Sequence, residues 1–391
     1  MLSDWPKKRL SELGEVNRGR SRHRPRYAEH LYGGAYPFIQ TGDIKASNGR
    51  ITNHQQTYSE AGLAQSRLWP AGTLCITIAA NIAETGILSY PACFPDSVVG
   101  FIADQSKCEV LFIEYMFRHL RRHIQHEATG SVQDNINLET LNRLEIPFPP
   151  LSEQRAIASV LGALDDKIEL NRRMNETLEA LAQSLFKSWF VDATQSALPK
   201  GWRETTLEDA IVIHDSKRIP LSSRERAERR GKYPYHGAAS VMDYVDDFLF
   251  DGVYTLIGED GSVVNEDDTP VLQYVWGKFW VNNHAHVLTG KNGISAEHLL
   301  LFFKTLNIRP FVTGAVQPKL NQGNLCRVPF VLPPESVSQE FGQIIQPMFA
   351  RIRANIEESR TLATLRDALL PKLLSGELRV PAAEKLVESK L

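Results

Sequence analysis

What this sequence lacks excludes several classes of function before any residue is assigned a role. No uninterrupted apolar stretch reaches the roughly 20 residues that cross a bilayer, and Met1 to Leu13 mixes Trp5 with Lys7, Lys8 and Arg9 where a leader would need an apolar core. A cytoplasmic protein without membrane contact is expected. The chain has four cysteines, Cys75, Cys93, Cys108 and Cys326, too far apart for the short gap of a zinc knuckle. Reduced core thiols are expected. The 44 basic residues are offset by 46 acidic ones, a formal net charge of −2, so nucleic acid cannot be held by bulk positive charge. Any DNA contact must come from local patches or partners.

Catalytic and cofactor motifs are also missing. There is no Gly-x-Gly-x-x-Gly loop and no P-loop, and His284-Ala285-His286 lacks metal-ligand spacing on a helix. Pro149-Pro150 is followed by Leu151 and Pro333-Pro334 by Glu335, so neither is the Asn/Asp-Pro-Pro-aromatic element of adenine methyltransferases. Asp43-Ile44-Lys45 has no upstream Pro-Asp partner of the nuclease type. The acidic stretch from Asp243 to Asp268 contains no calcium loop, and no metal is assigned to it. A non-catalytic chain that binds no cofactor of its own is expected.

What is present is a duplication. Trp5 and Leu10 recur as Trp202 and Leu207, and Tyr36-Pro37-Phe38 as Tyr233-Pro234-Tyr235, a shift of 197 (202 minus 5). Thr129-Gly130-Ser131-Val132-Gln133 returns as Thr313-Gly314-Ala315-Val316-Gln317, and Pro149-Pro150 as Pro333-Pro334, now shifted by 184 (333 minus 149). A chain of 391 residues exceeds what one core sustains, and the repeat supplies the two units.

After each Pro-Pro pair the pattern turns helical. Ile157, Leu161, Leu164, Ile168, Asn171, Asn175, Leu178, Ala182, Leu185 and Trp189 alternate four-three spacing, the seam of a heptad repeat. Adding 184 gives Phe341, Ile345, Met348, Ile352, Asn355, Ser359, Leu362, Arg366, Leu369 and Leu373, a second seam in the same phase. The two helices are expected to pair antiparallel, with Asn171, Asn175, Asn355 and Ser359 as a polar layer that sets register or as a wetter stretch. Ser152 is expected to cap the first helix, Ser336 and Gln339 to form a capping box on the second, and Gly376 to stop it. Pro347 and Pro371 are expected to interrupt or kink the second helix.

The fold class expected is α/β (α+β): two globules separated by two long antiparallel, coiled-coil-like helices with internal pseudo-twofold symmetry. Thr73 to Ile78 and Gly252 to Ile257 read as buried strands, and Glu109 to His123 and Ala296 to Leu306 as short helices. The boundaries expected are 1–150 for the first globule, 151–192 for the first helix, 193–334 for the second globule with a linker at 193–200, 335–380 for the second helix, and 381–391 for a tail. At ~1.5 Å per residue the first helix would be roughly 55 to 60 Å long, enough to space two half-sites about one DNA turn apart.

Pro149-Pro150-Leu151-Ser152-Glu153-Gln154-Arg155, with the helix end Leu185-Phe186-Lys187-Ser188-Trp189-Phe190, resembles the central conserved region of type I restriction-modification specificity subunits. Leu373-Leu374-Ser375-Gly376-Glu377-Leu378 resembles their distal one. The resemblance implies two target-recognition domains on double-stranded DNA with a bipartite target. It also implies two modification subunits that carry S-adenosylmethionine and methylate adenine, and restriction subunits that join for cleavage.

Candidate DNA contacts follow from side-chain chemistry. Arg18, Arg20, Arg22, Arg24 and Arg26, with His23, form a run without an intervening acid, and guanidinium groups suit phosphate oxygens and the guanine edge. Lys217, Arg218, Arg224, Arg226 and Lys232, with Arg229 and Arg230, recur at the corresponding place, partly offset by Asp215, Glu225 and Glu228. Gln40, Thr41 and Asp43 are polar groups at an expected strand-to-turn position, and the second copy differs chemically there, which suits an asymmetric target. In the repeated Thr-Gly segments, Gln133, Asn135, Gln317 and Lys319 are read mainly as touching DNA backbone or bracing the domain. The rival reading is a two-headed protein-interaction scaffold that never touches DNA.

Overall fold

The computed structural model describes residues 5–79, 81–129, 136, 138–314 and 317–388. The chain divides into two compact units, Met1–Leu170 with Glu358–Leu391, and Asn171–Glu357, so each unit takes a portion of both long helices. Five helices organise them: α1 (Val110–Thr129), α2 (Leu151–Phe186), α3 (Ala296–Phe303), α4 (Glu335–Leu374) and α5 (Val380–Glu388). None of the described helices is long and apolar enough to cross a membrane.

The helix starts differ from the sequence expectation in one shared way. The Pro150 carbonyl accepts the amides of Glu153 at 2.9 Å and Gln154 at 3.0 Å, and the Pro334 carbonyl those of Val337 at 2.9 Å and Ser338 at 3.2 Å. Each ladder therefore opens from the Pro-Pro pair, whose ring holds φ near the helical value, and Ser152 and Ser336 lie inside the first turn. Neither serine caps its helix. Gln339 Nε2 bonds Glu335 Oε1 at 3.0 Å instead of closing a capping box.

Nor is the second helix interrupted, for α4 runs as one element through Pro347 and Pro371. Phe341, Ile345, Phe349 and Ile352 are buried around the first proline, and Leu369, Leu370, Leu373 and Leu374 around the second. Burial at about 1.5 to 3 kcal/mol per side chain outweighs the ~3 kcal/mol that an interior proline costs. Gly376 then ends the helix with φ +72°, as expected.

In the first unit a five-stranded sheet comprises β1 (Gly14–Arg18), β2 (Gly49–Ile51), β3 (Leu74–Thr77), β4 (Thr85–Leu88) and β5 (Val98–Ala103). Their order is β1-β5-β3-β4-β2, antiparallel except for the β2–β4 pair. Phe112, Tyr115, Met116 and Phe117 of α1 enter one core with Ile157, Leu161 and Leu164 of α2, Leu362, Leu369 and Leu373 of α4, and Val380, Ala383 and Val387 of α5. Here α2 and α4 run antiparallel, since Lys167 meets Glu358 at 3.6 Å while Asp165 meets Arg366 at 2.6 Å. The half-buried Ile168 packs against the same core.

In the second unit six strands, β6 (Ile211–Ile213), β7 (Arg230–His236), β8 (Val241–Val245), β9 (Phe250–Gly258), β10 (Leu272–Val281) and β11 (Ala285–Gly290), form one sheet. The order is β6-β11-β9-β10-β7-β8, with β7–β10 the parallel pair. Ala182 and Phe186 of α2 join Phe341, Ile345, Phe349 and Ile352 of α4, with Leu178 and Leu185 partly buried alongside. The asparagine layer is linked across the seam: Asn171 and Asn355 are fully buried, Asn171 Nδ2 lies 3.4 Å from the Asn355 carbonyl, and Asn355 Nδ2 donates to Asn175 Oδ1 at 2.8 Å. Side-chain bonds across the seam are what a register-setting layer requires.

Candidate nucleic-acid interface

The first basic run starts at Arg18, the last residue of β1 (Gly14–Arg18), and continues into the connection that follows, and all five arginines are exposed. They are not equivalent. Arg26 is held by Asp96 through two contacts of 2.9 Å, and Arg18 Nε donates to the Asp96 carbonyl at 3.1 Å. The acid missing from the run itself is supplied by a distant segment. Arg24 bonds the carbonyls of Ser21 and His23, each at 2.8 Å. Arg20 and Arg22 carry no side-chain hydrogen bond or ion pair among the described residues, which leaves them free to meet phosphate.

Gln40, Thr41 and Asp43 depart from the strand-to-turn expectation, because they begin a short helix, Thr41–Ala46. Gln40 is its N-cap, and its amide donates to Asp43 Oδ2 at 2.8 Å in a capping box. Gln40 Nε2 is also bound to Gln56 Oε1 at 2.6 Å. The carboxylate and the amide that looked like base readers thus hold a helix start. Gln133 and Asn135 lie outside the described residues.

In the second unit the corresponding run is divided between fold and surface. Arg218 has 11% side-chain exposure and contacts Glu259 at 2.6 Å, Asp215 at 3.3 Å and the Ala285 carbonyl at 2.6 Å. Arg226, almost as buried, bonds Asp243 at 3.2 Å and the Leu221 carbonyl at 2.7 Å beneath Tyr235. As expected DNA contacts these two arginines are corrected, since carboxylates far along the chain claim their guanidinium groups. Lys217, Lys232 and Arg224 remain at the surface, with Arg224 89% exposed and paired only with Glu228 at 3.0 Å, a bond worth little in water. Gln317 and Lys319 are exposed, yet both reach Asp260, at 2.8 Å and 3.2 Å, so they brace the Thr313 loop against the end of β9.

One group that sequence reasoning missed surrounds Arg218. Asp215, Glu259 and His286 bring ligand-type atoms within 4.8 Å of one another, although they come from three separate segments and no local spacing announces them. His286 Nδ1 lies 2.6 Å from Asp215 Oδ2, and Nε2 lies 2.6 Å from the Leu320 carbonyl, so both ring nitrogens face oxygen acceptors. Gln322 Nε2 donates to Asp215 at 2.7 Å and the Val287 amide at 2.9 Å. Burial alone would raise the Asp215 carboxyl, but the hydrogen bonds and charge of His286, with Val287 and Gln322, hold it below the ordinary range. Arg218 occupies the cationic place that a metal would take, so these residues do not fit a metal centre.

Comparison with known proteins agrees over nearly the whole chain. The family model described as type I restriction modification DNA specificity domain matches residues 2–180 and again 199–361. The type I restriction enzyme MjaIX specificity subunit of Methanocaldococcus jannaschii is 27% identical, over 96% of this chain and 94% of its own. The HindI specificity subunit of Haemophilus influenzae is 23% identical over 96% of this chain and 100% of its own. Among solved structures, the S subunit of a type I restriction-modification system from M. genitalium matches with a TM-score of 0.65 at 18% identity, over 95% of this chain and 96% of that one, so the fold is shared.

Proposed function

The chain belongs to the type I restriction-modification DNA specificity family, and from that premise we propose that its two globules each read one half of an asymmetric, bipartite DNA target. It is the non-catalytic, sequence-recognising subunit of its system. The observation that carries the bipartite reading is the pair of basic loops at repeated positions with different exposed groups, Arg20 and Arg22 in one unit and Lys217, Arg224 and Lys232 in the other. Cations of this kind position a protein on phosphate, and unlike neighbours read unlike bases.

The partners in this reading are two modification subunits that carry S-adenosylmethionine and methylate adenine N6 within the target, and restriction subunits that join for cleavage. The paired helices act as the spacer between half-sites. The test is a reconstituted complex with modification subunits, titrated with cognate and random duplexes over a salt series. A preference of about a thousandfold or more for the cognate duplex is expected. Equal binding of both would leave the two-headed scaffold as the reading.

The spacer role has its own test. Because Asn171 pairs with Asn355 and Asn175 with the Ile352 carbonyl, a heptad added to one helix alone would break the register. One heptad is therefore inserted between Asn175 and Leu178, and one between Phe349 and Ile352. Adenine-methylation mapping is expected to show the same half-sites with a changed spacer, and an unchanged spacer would refute the ruler.

A further inference from the structure

The loop bearing the first basic run is built as a rigid mount. The Gly19 amide donates to the Val98 carbonyl at 2.8 Å and the Arg20 amide to that of Phe94 at 3.1 Å. A Cβ on Gly19 would lie 2.3 Å from the Pro95 oxygen, so no other residue allows so close an approach. Gln65 Oε1 accepts the amides of Arg22 at 2.5 Å and His23 at 3.0 Å, and Ser66 Oγ donates to the Arg20 carbonyl at 2.8 Å. Tyr32 donates its hydroxyl to the Arg26 carbonyl at 3.0 Å, and His23 meets His30 edge to face at 4.9 Å. Together with the Arg24 and Arg26 contacts, these bonds hold the loop from three sides.

The side chains left uncommitted by this mount are Arg20, Arg22 and Tyr27. Tyr27 is 77% exposed, more than any other large hydrophobic among the described residues. A single exposed aromatic needs no explanation on a mobile loop. Here the backbone is already held, the ring belongs to the same loop as the two guanidinium groups that make no side-chain bond among the described residues, and the Asp96 carboxylate is taken by Arg26. Ordering costs that weaken most loop contacts are already met, which is the condition under which one apolar contact discriminates.

We propose that Tyr27 is a base-contacting, specificity-determining residue of the first globule, packing its ring on a thymine C5 methyl in the major groove while Arg20 and Arg22 hold neighbouring phosphates. The thymine methyl is the apolar group the major groove offers. This proposal rests on the DNA-reading function above.

The test uses the reconstituted complex with modification subunits and a cognate duplex in which each thymine of one half-site is replaced singly by uracil. The wild-type complex must first prefer cognate to random DNA, and failure there strikes the function and not the tyrosine. Uracil at one position is expected to weaken wild-type binding about fivefold to tenfold, and Tyr27→Ala to weaken cognate binding similarly while ignoring that uracil. Tyr27→Phe is expected to retain wild-type behaviour. Random-duplex binding and the salt slope are unchanged in both variants, whereas Arg20→Ala and Arg22→Ala each lower the slope by about one. Cognate binding by Tyr27→Ala at wild-type strength, equal loss on random DNA, retained uracil sensitivity, or loss of assembly with the modification subunits overturns the proposal.

Discussion

The seats of α1 and α3 on the long helices occupy equivalent places in the two units and are filled with opposite chemistry. In the first unit Asp165 of α2 accepts the Tyr115 hydroxyl at 2.7 Å and contacts Arg118 at 3.3 Å and Arg366 at 2.6 Å, while Arg118 also holds the fully buried Glu114 at 3.1 Å. Shifted by 184, Glu114 becomes His298, Arg118 becomes Phe302, Asp165 becomes Phe349 and Arg366 maps back to Ala182 (366 minus 184). In the second unit His298 lies among rings, 4.4 Å from Phe190 and 5.3 Å from Phe341 between centroids. Its charged contact is a different one, Arg353 on Glu297 at 3.3 Å with Tyr274 bonded to the same carboxylate at 2.6 Å. Repetition thus preserves the place of the contact and leaves its chemistry free, provided each buried charge keeps a partner.

Breaking the ionic seat is expected to have the largest effect. Asp165→Ala removes the acceptor shared by Arg118, Arg366 and the Tyr115 hydroxyl, leaving Arg118 only the carboxylate of Glu114 and Arg366 only that of Asp367, at a cost of about 3 kcal/mol. Hydrogen exchange should show α1 losing protection while α3 keeps it, and equal loss in both would erase the contrast between seats.

Acid is expected to act on the aromatic seat. Burial pushes His298 down from the ordinary 6.5 to about 3, so the folded unit keeps it neutral. A lowered histidine contributes stability that is present above pH 6.5 and is lost as pH falls toward 3, by at most about 1.4 kcal/mol per unit. Protection of α3 should fall over that window in the wild type, and more shallowly in His298→Leu. Identical profiles would mean that the ring titrates freely.

Two smaller effects separate bracing from reading. Asp43→Ala removes the capping carboxylate and is expected to cost ~1 kcal/mol in urea unfolding without changing the target sequence. A changed methylation motif would return Asp43 to the base readers. Lys217→Ala is expected to lower the salt slope of DNA binding by about one and leave stability unchanged, while Arg218→Ala does the reverse. A lowered slope for Arg218→Ala would place that guanidinium on phosphate after all.

The long helices were legible because a seam depends on residues three and four apart, and its copy 184 residues later shows the same phase. The strands Leu74–Thr77 and Phe250–Gly258 were legible as apolar runs between turns. The division of labour among the arginines was not, because Asp96, Asp243 and Glu259, the carboxylates that claim Arg26, Arg226 and Arg218, are brought near by sheet topology and not by sequence distance. The helix caps lie two positions earlier than the serines suggest, for a local reason. Proline was read as a boundary, whereas its carbonyl is already the first acceptor of the ladder.

The contact of Asn171 with Asn355 joins a residue to its own counterpart (355 minus 184), so this part of the seam is self-complementary. Such a surface would let two molecules exchange helices, first with first and second with second, as in a domain-swapped dimer. The ionic seat opposes that exchange. Against another first helix, Asp165 would face Ala182 in place of Arg366 and lose the closer of its two cations, keeping only Arg118. The asymmetry between the seats thus gives an almost symmetric chain a means of recognising itself.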